Sequence, residues 1–216
     1  PAASWARAGS RDRSTTVRRL DPNRRMRVIS ASMGGMYGAW ITPGMRVLDA
    51  GCGGGRNLVY FLREGYEVFG ADAGGVEAVR RLTAALAPGL PAGNFRAEPV
   101  EAMSFPEASF DVVISNAVLH FARDDAHFLA MLRGSWRMLK PGGLFFCRLA
   151  SSIGMESRVR KISGRRFSLP DGSDRYLVDA LMLEGLTREL GGRMLDPLKT
   201  TVVQDQRCMT PWVMGK

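Results

Sequence analysis

Apolar residues along this chain fall into two kinds of run. Short blocks of mostly consecutive apolar residues recur at 46–50 (RVLDA), 66–71 (YEVFGA), 109–116 (SFDVVISN) and 144–150 (LFFCRLA), and each reads as a buried strand. Between them stand stretches with helical spacing at 57–64, 76–87 and 124–139, the last with Phe128, Leu129, Leu132, Trp136 and Leu139 on one face. Gly65, Pro88 and the run Lys140-Pro141-Gly142-Gly143 close these helices. Residues 94–97 read as a further short strand, and 23–41 as a helix-spaced segment interrupted by Gly34-Gly35. Short strands alternating with helices predict βαβ units: an α/β, doubly wound, Rossmann-like fold with a mostly parallel sheet covered on both faces.

The rhythm changes after residue 150. Residues 151–176 carry serines, the basic run Arg158, Arg160, Lys161, Arg165 and Arg166, and a Pro170-Asp171-Gly172-Ser173 turn. This reads as an insertion, with a hairpin of 165–169 against 175–178. The basic run is either a cap that attracts an anionic substrate or a solvated loop. A helix over 179–190 stops at Gly191-Gly192, and 199–203 with 207–213 alternate like an antiparallel pair.

Composition adds three limits. At 216 residues and 45% hydrophobic, the chain can bury one full core, so a single domain is expected. No run reaches the ~18 apolar residues of a bilayer span, so no membrane role is expected. Cys52, Cys147 and Cys208 lie far apart, which excludes a disulfide framework or a CxxC metal site and suits a reducing cytoplasm. The net charge is +9, but residues 1–30 hold eight arginines against Asp12 and Asp21. Residues 31–150 balance to zero, so residues 1–22 read as a basic flexible tail ahead of a domain at 23–216. Such a tail is a solvated extension or a nucleic-acid arm. Nothing in the pattern sets an oligomeric state.

The chemistry concentrates at VLDAGCGGGRN (47–57), where a strand turns into a helix through four glycines. Glycine inside an element costs about 0.5–1 kcal/mol relative to alanine, so a cluster implies a tight turn or a ligand close to the backbone. Arg56 stands where a dinucleotide fingerprint needs its third glycine, and no Gly-Lys-Ser/Thr of a phosphate loop is present. What remains is Asp49, Gly51, Gly53 and Gly55, a D-x-G-x-G-x-G pattern. An acid before the glycines suits a cationic amine. A second acid, Asp72, closes the next strand, where a carboxylate reaches ribose hydroxyls, or caps the helix that follows. Together they describe a nucleoside that carries an amino acid.

In VLDAGCGGG (47–55), VFGAD (68–72), SFPEASFDVVISNAVLHF (104–121) and LKPGGLFF (139–146), the chain resembles the class I S-adenosylmethionine-dependent methyltransferases. Within them it is similar to the small-molecule branch that includes tellurite-resistance methyltransferases. The resemblance implies a seven-stranded sheet with an antiparallel last strand, S-adenosyl-L-methionine as cofactor, and a small-molecule methyl acceptor. It implies that Gly51, Gly53 and Gly55 admit the methionyl-ribose part, Asp49 orients the amino end, and Asp72 holds the ribose. Asn116 would lie beneath the methyl group, or merely cap its strand. Pro99 replaces the family's adenine-binding acid, which leaves Glu98 or Glu101 for that role. His120 follows the fourth strand as the candidate catalytic base or as a structural pocket residue, and His127 is expected to face solvent. Residues 23–41 and 151–176 would cover the site. An RNA methyltransferase using the tail and a non-catalytic cofactor-binding module are the alternatives.

Overall fold

The computed structural model of the protein describes residues 41, 42 and 44–216. The basic tail expected at 1–22, and all but the last residue of the segment expected at 23–41, lie outside the described residues. In chain order the elements are β1 (Arg46–Ala50), α1 (Val59–Arg63), β2 (Glu67–Ala71), α2 (Glu77–Leu86), β3 (Phe95–Arg96), β4 (Phe110–Asn116), α3 (Asp125–Met138) and β5 (Leu139–Ser151). There follow β6 (Arg160–Ser163), β7 (Arg166–Ser168), β8 (Asp174–Tyr176), α4 (Ala180–Glu189), β9 (Arg193–Met194), β10 (Thr201–Val203) and β11 (Arg207–Gly215).

The main sheet has the order β10-β11-β5-β4-β1-β2-β3, with β9 also paired to β11. Strands β1 to β5 pair in parallel, and β11 runs antiparallel to β5, β9 and β10. This is the expected seven-strand path with an antiparallel last strand, plus the two-residue β9 on its edge. Register explains why the strands are apolar throughout. Val47, Val68 and Val112 are paired neighbours and pack with Phe61 and Leu62 of α1 and Val79 of α2. Leu48, Phe69 and Val113 are the next set along and pack on the other face with Phe128, Leu132 and Trp136 of α3 and Leu183 of α4. Both faces of each central strand are therefore covered, as a parallel sheet requires.

Lys140-Pro141-Gly142-Gly143 ends α3 as expected, yet the chain enters β5 without a gap. Pairing slips from Phe110–Leu139 to Val112–Leu144, so residues 140–143 bulge outward with Gly142 at φ +78°. Lys216 fills this corner. Its Nζ donates to the carbonyls of Trp136 and Leu139 at 3.0 and 2.9 Å, joining the Leu139 amide that already caps Trp136 at the end of α3.

The expected hairpin is β7 paired with β8, and β6 adds a third strand, making a separate antiparallel meander. Three residues of the basic run form ion pairs: Arg158 with Asp205, Arg165 with Asp179, and Arg166 with Asp174. Tyr176 ties the meander to the main body. Its ring stacks on Phe128 with centroids 4.6 Å apart, and its hydroxyl donates to Asp125 Oδ1 at 2.8 Å. Among the described residues no helix is long and apolar enough to cross a membrane. Tyr176→Phe keeps the stack and loses the hydrogen bond, about 1 kcal/mol. The expected result is a thermal midpoint about 2–4 °C lower by calorimetry, with the unfolding transition still cooperative.

Candidate active site

The chain leaves β1 at its C-terminal end through Gly51 (φ +92°), Gly53 (φ +48°) and Gly55 (φ +81°), a left-handed path that suits glycine. The glycines answer to different constraints. A Cβ on Gly51 would overlap the Val118 side chain, and one on Gly55 would lie 2.7 Å from Val79 Cγ2 and 2.9 Å from Leu82 Cδ2 of α2. Gly53 is open, and its amide donates to Asp72 Oδ2 at 2.8 Å. Asp72 Oδ1 accepts the Gly74 amide at the same distance. The N-cap of α2 is Val76, without a side-chain bond, so Asp72 joins two loops and does not cap the helix.

These loops border a cavity of about 490 Å³ whose lining includes Gly51, Asp72, Pro99, Glu101, Val118 and His127. His127, expected to face solvent, turns inward, with Nε2 3.1 Å from Glu101 Oε1. Its backbone amide donates to Asp124, the N-cap of α3, which pins the residue at this position. Of the two candidate acids, Glu101 reaches the cavity and Glu98 does not. Glu98 instead accepts the Ser104 amide and hydroxyl at 2.8 and 2.6 Å. Burial pushes the Glu98 carboxyl up, but those two hydrogen bonds and Arg96 more than offset it, leaving it below its ordinary value.

Beneath the corner runs a buried polar chain. Asn116 Nδ2 donates to Asn57 Oδ1 at 2.9 Å, and Asn57 Nδ2 donates to Asp49 Oδ2 at 3.1 Å. Asp49 and Asn116 line neither cavity described here. Burial, with Asp72 adding to it, pushes the Asp49 carboxyl up to about 7, against the opposing Asn57 hydrogen bond. Asn116 Oδ1 is buried without a hydrogen-bond partner in the protein. Asn57 is a residue of this chain of bonds that the sequence pattern did not single out. Its signal was an amide at the head of the otherwise apolar LVYFL helix.

A second cavity of about 270 Å³ adjoins the first at Ala117, which lines both. Ala117 holds φ +64°, uncommon for a residue with a Cβ, and its amide donates to the Arg148 carbonyl at 2.7 Å. The lining includes His120, Asp171 and four arginines, Arg56, Arg148, Arg175 and Arg207. None of these arginines belongs to the 158–166 basic run.

Of the two readings of His120, a base or a structural pocket residue, its surroundings favour the second. Nδ1 accepts the Ala150 amide at 3.1 Å, which leaves the neutral ring's proton on Nε2. Burial, then Arg175, Arg148 and Arg207, push its pKa down to about 4, far from that of a base working near neutrality. His120 therefore presents a hydrogen-bond donor. The three cysteines are buried, and burial with Asp49 and Asp72 raises Cys52 to about 12, so it packs as an inert thiol.

Residues 48–147 match a family model described as a methyltransferase domain. The chain is 32% identical over 163 residues to the ubiquinone biosynthesis O-methyltransferase of Brucella anthropi, covering 73% of this chain and 64% of that protein. It is 35% identical over 105 residues to an uncharacterized methyltransferase of Synechocystis, covering 49% of this chain and 47% of that protein. The chain thus spans less than two thirds of the length of either relative. Its fold superposes on the 1,6-didemethyltoxoflavin-N1-methyltransferase of Burkholderia thailandensis, solved with 1,6-didemethyltoxoflavin and S-adenosylhomocysteine bound. That match has a TM-score of 0.63 at 22% identity, over 81% of this chain and 72% of the other.

The buried Asp49 has a consequence for stability. Its carboxyl ionises near 3.8 when unperturbed and near 7 in the fold. Between those values the unfolded chain releases a proton that the folded chain keeps. Stability from this group is therefore greatest below about pH 4, falls as pH rises towards 7, and is flat above, a total on the order of 4 kcal/mol. Urea unfolding from pH 4 to 7 should show a steeper decline in the wild type than in Asp49→Asn. Equal slopes would overturn the assignment.

Proposed function

We propose, on the premise that residues 48–147 belong to the class I S-adenosylmethionine-dependent methyltransferases, that this chain moves a methyl group to a small-molecule acceptor held in the second cavity. The observation that carries this reading is the meeting of two cavities at Ala117, just past the C-terminal end of β4. Ligands of open parallel sheets bind at the carboxyl ends of the strands, and the larger cavity is bordered by the loops that follow β1, β2 and β4.

The residues present fit the cofactor. The larger cavity lies within the roughly 300–1,000 Å³ of small-molecule sites. A carboxylate offers about four acceptor positions, and the Gly53 and Gly74 amides occupy two at Asp72, which leaves capacity for two ribose hydroxyls. Glu101 accepts the adenine amine. Gly51, bare of Cβ, brings backbone to the cavity wall, while Gly53 and Gly55 shape the loop beside it. Asp49 and Asn116, which line neither cavity, would act on the cofactor's amino end only through Asn57 and the loop above them.

S-adenosylmethionine, when bound, supplies a methyl group on a sulfonium, open to in-line displacement. The chain's own task is alignment, which is worth several kcal/mol where reacting atoms are held in place. Ala117 keeps the junction between the cavities narrow in side chain. Leu169, Asp171, Ser173 and Arg175 of the meander wall the second cavity, so residues 151–176 act as a cap that excludes water from a domain spanning 23–216. His120 orients the acceptor through Nε2–H. A cavity of about 270 Å³ suits a small molecule better than a polynucleotide.

Calorimetric titration of S-adenosylhomocysteine tests the cofactor half of this reading. Asp72→Ala should weaken binding by about 1–3 kcal/mol, a 5- to 150-fold loss. Glu101→Gln should weaken it by about 1 kcal/mol and Glu98→Gln should leave it unchanged. Full affinity in Asp72→Ala would place the ribose elsewhere.

A further inference from the structure

The second cavity is walled by donors drawn from distant parts of the chain. Arg56 comes from the glycine corner, Arg148 from β5, Arg175 from β8 and Arg207 from the start of β11. His120 adds Nε2–H, its Nδ1 being taken by the Ala150 amide. A guanidinium has five N–H donors and no acceptor, so these groups ask a ligand for oxygen acceptors and negative charge. Asp171 is the one carboxylate on this wall among the described residues, and it already has partners in the protein. It takes the Ser173 amide at 3.0 Å and the Ser173 hydroxyl, and Arg207 lies 3.6 Å away. Arg56, Arg175 and Arg207 against one carboxylate leave an excess of positive charge in a pocket closed on several sides.

We infer that the methyl acceptor is an anion, a small molecule whose carboxylate or phosphate docks on Arg175 and Arg207 with His120 Nε2–H as a further donor. That the anion is the methyl acceptor rests on the methyl-transfer reading; that the cavity binds an oxyanion does not. The planar guanidinium fork pairs with both oxyanions in two-point fashion, which gives orientation as well as attraction. A neutral ligand would strip water from these charges without replacing its hydrogen bonds, and a cation would be repelled. The anchored oxyanion turns the rest of the molecule towards the Ala117 junction, so the anchoring group and the methylated atom are different parts of the acceptor.

The experiment uses the full chain saturated with S-adenosylhomocysteine and three probes of one ring size: benzoate, phenyl phosphate and benzyl alcohol. Ligand-observed NMR should show one of the two anions binding at least tenfold more tightly than benzyl alcohol. Whichever anion binds more tightly identifies the oxyanion. Arg175→Gln and Arg207→Gln should each weaken that anion about tenfold while S-adenosylhomocysteine affinity stays within twofold of wild type, which also certifies the fold. Benzyl alcohol binding as well as both anions, or anion binding indifferent to both substitutions, would overturn the inference. Anion binding that persists in a protein that fails to bind S-adenosylhomocysteine would leave the oxyanion site standing and remove the methyl-transfer reading.

Discussion

The hydrogen bond from the Gly53 amide to the Asp72 carboxylate ties together the ends of two parallel strands, and the site is arranged around that tie. Parallel strands finish on the same side of the sheet, so the loops after β1 and β2 must lie side by side with unpaired backbone groups. At this corner the loops are knitted in both directions. The Gly51 and Cys52 amides donate to the Ala71 carbonyl, and Asp72 accepts from Gly53 and Gly74. Burial raises the proton affinity of Asp49 and Cys52 beneath it, and the same carboxylate adds to that rise. One acid thus sets the shape of the loop pair and much of its electrostatic character.

What was legible in the sequence is whatever local pattern governs. The apolar blocks announced β1, β2, β4 and β5, because strands covered on both faces need near-continuous apolar residues. The helical stripe Phe128, Leu132, Trp136 announced the buried face of α3. Asp72 could be singled out because an acid directly after an apolar strand is expensive unless it has partners, and two amides satisfy it here.

What escaped depends on residues that meet only after folding. Arg148, Arg175 and Arg207 belong to three elements, and no spacing rule joins them; the conspicuous run at 158–166 drew attention instead, and its Arg158, Arg165 and Arg166 pair with Asp205, Asp179 and Asp174. His120 shows the same limit at the scale of one ring. Proximity to the fourth strand marked it as a candidate, but its role turns on the Ala150 amide, which settles where the proton sits. Glu98 and Glu101 were equivalent by distance along the chain. Ser104 captures the first, and the second is left on the cavity beside His127.

The two cavities carry opposite electrical character across a single small residue. Asp72 and Glu101 outnumber Arg123 on one side, with the buried Asp49 beneath it, and the arginines and His120 outnumber Asp171 on the other. A sulfonium donor and an oxyanion-bearing acceptor would each be drawn to its own side by the field of the protein before any close contact forms. The same field disfavours the reverse arrangement, so it serves orientation as much as affinity. Ala117 marks the boundary. Its positive φ is a conformation worth of order 1 kcal/mol of strain, tolerated where surrounding structure over-determines the backbone. Here the Arg148 carbonyl receives its amide and thereby fixes β4's exit against β5. The strained residue, the change of sign and the junction of the cavities coincide at the strand end, which is where the proposed displacement between two oppositely attracted molecules would take place.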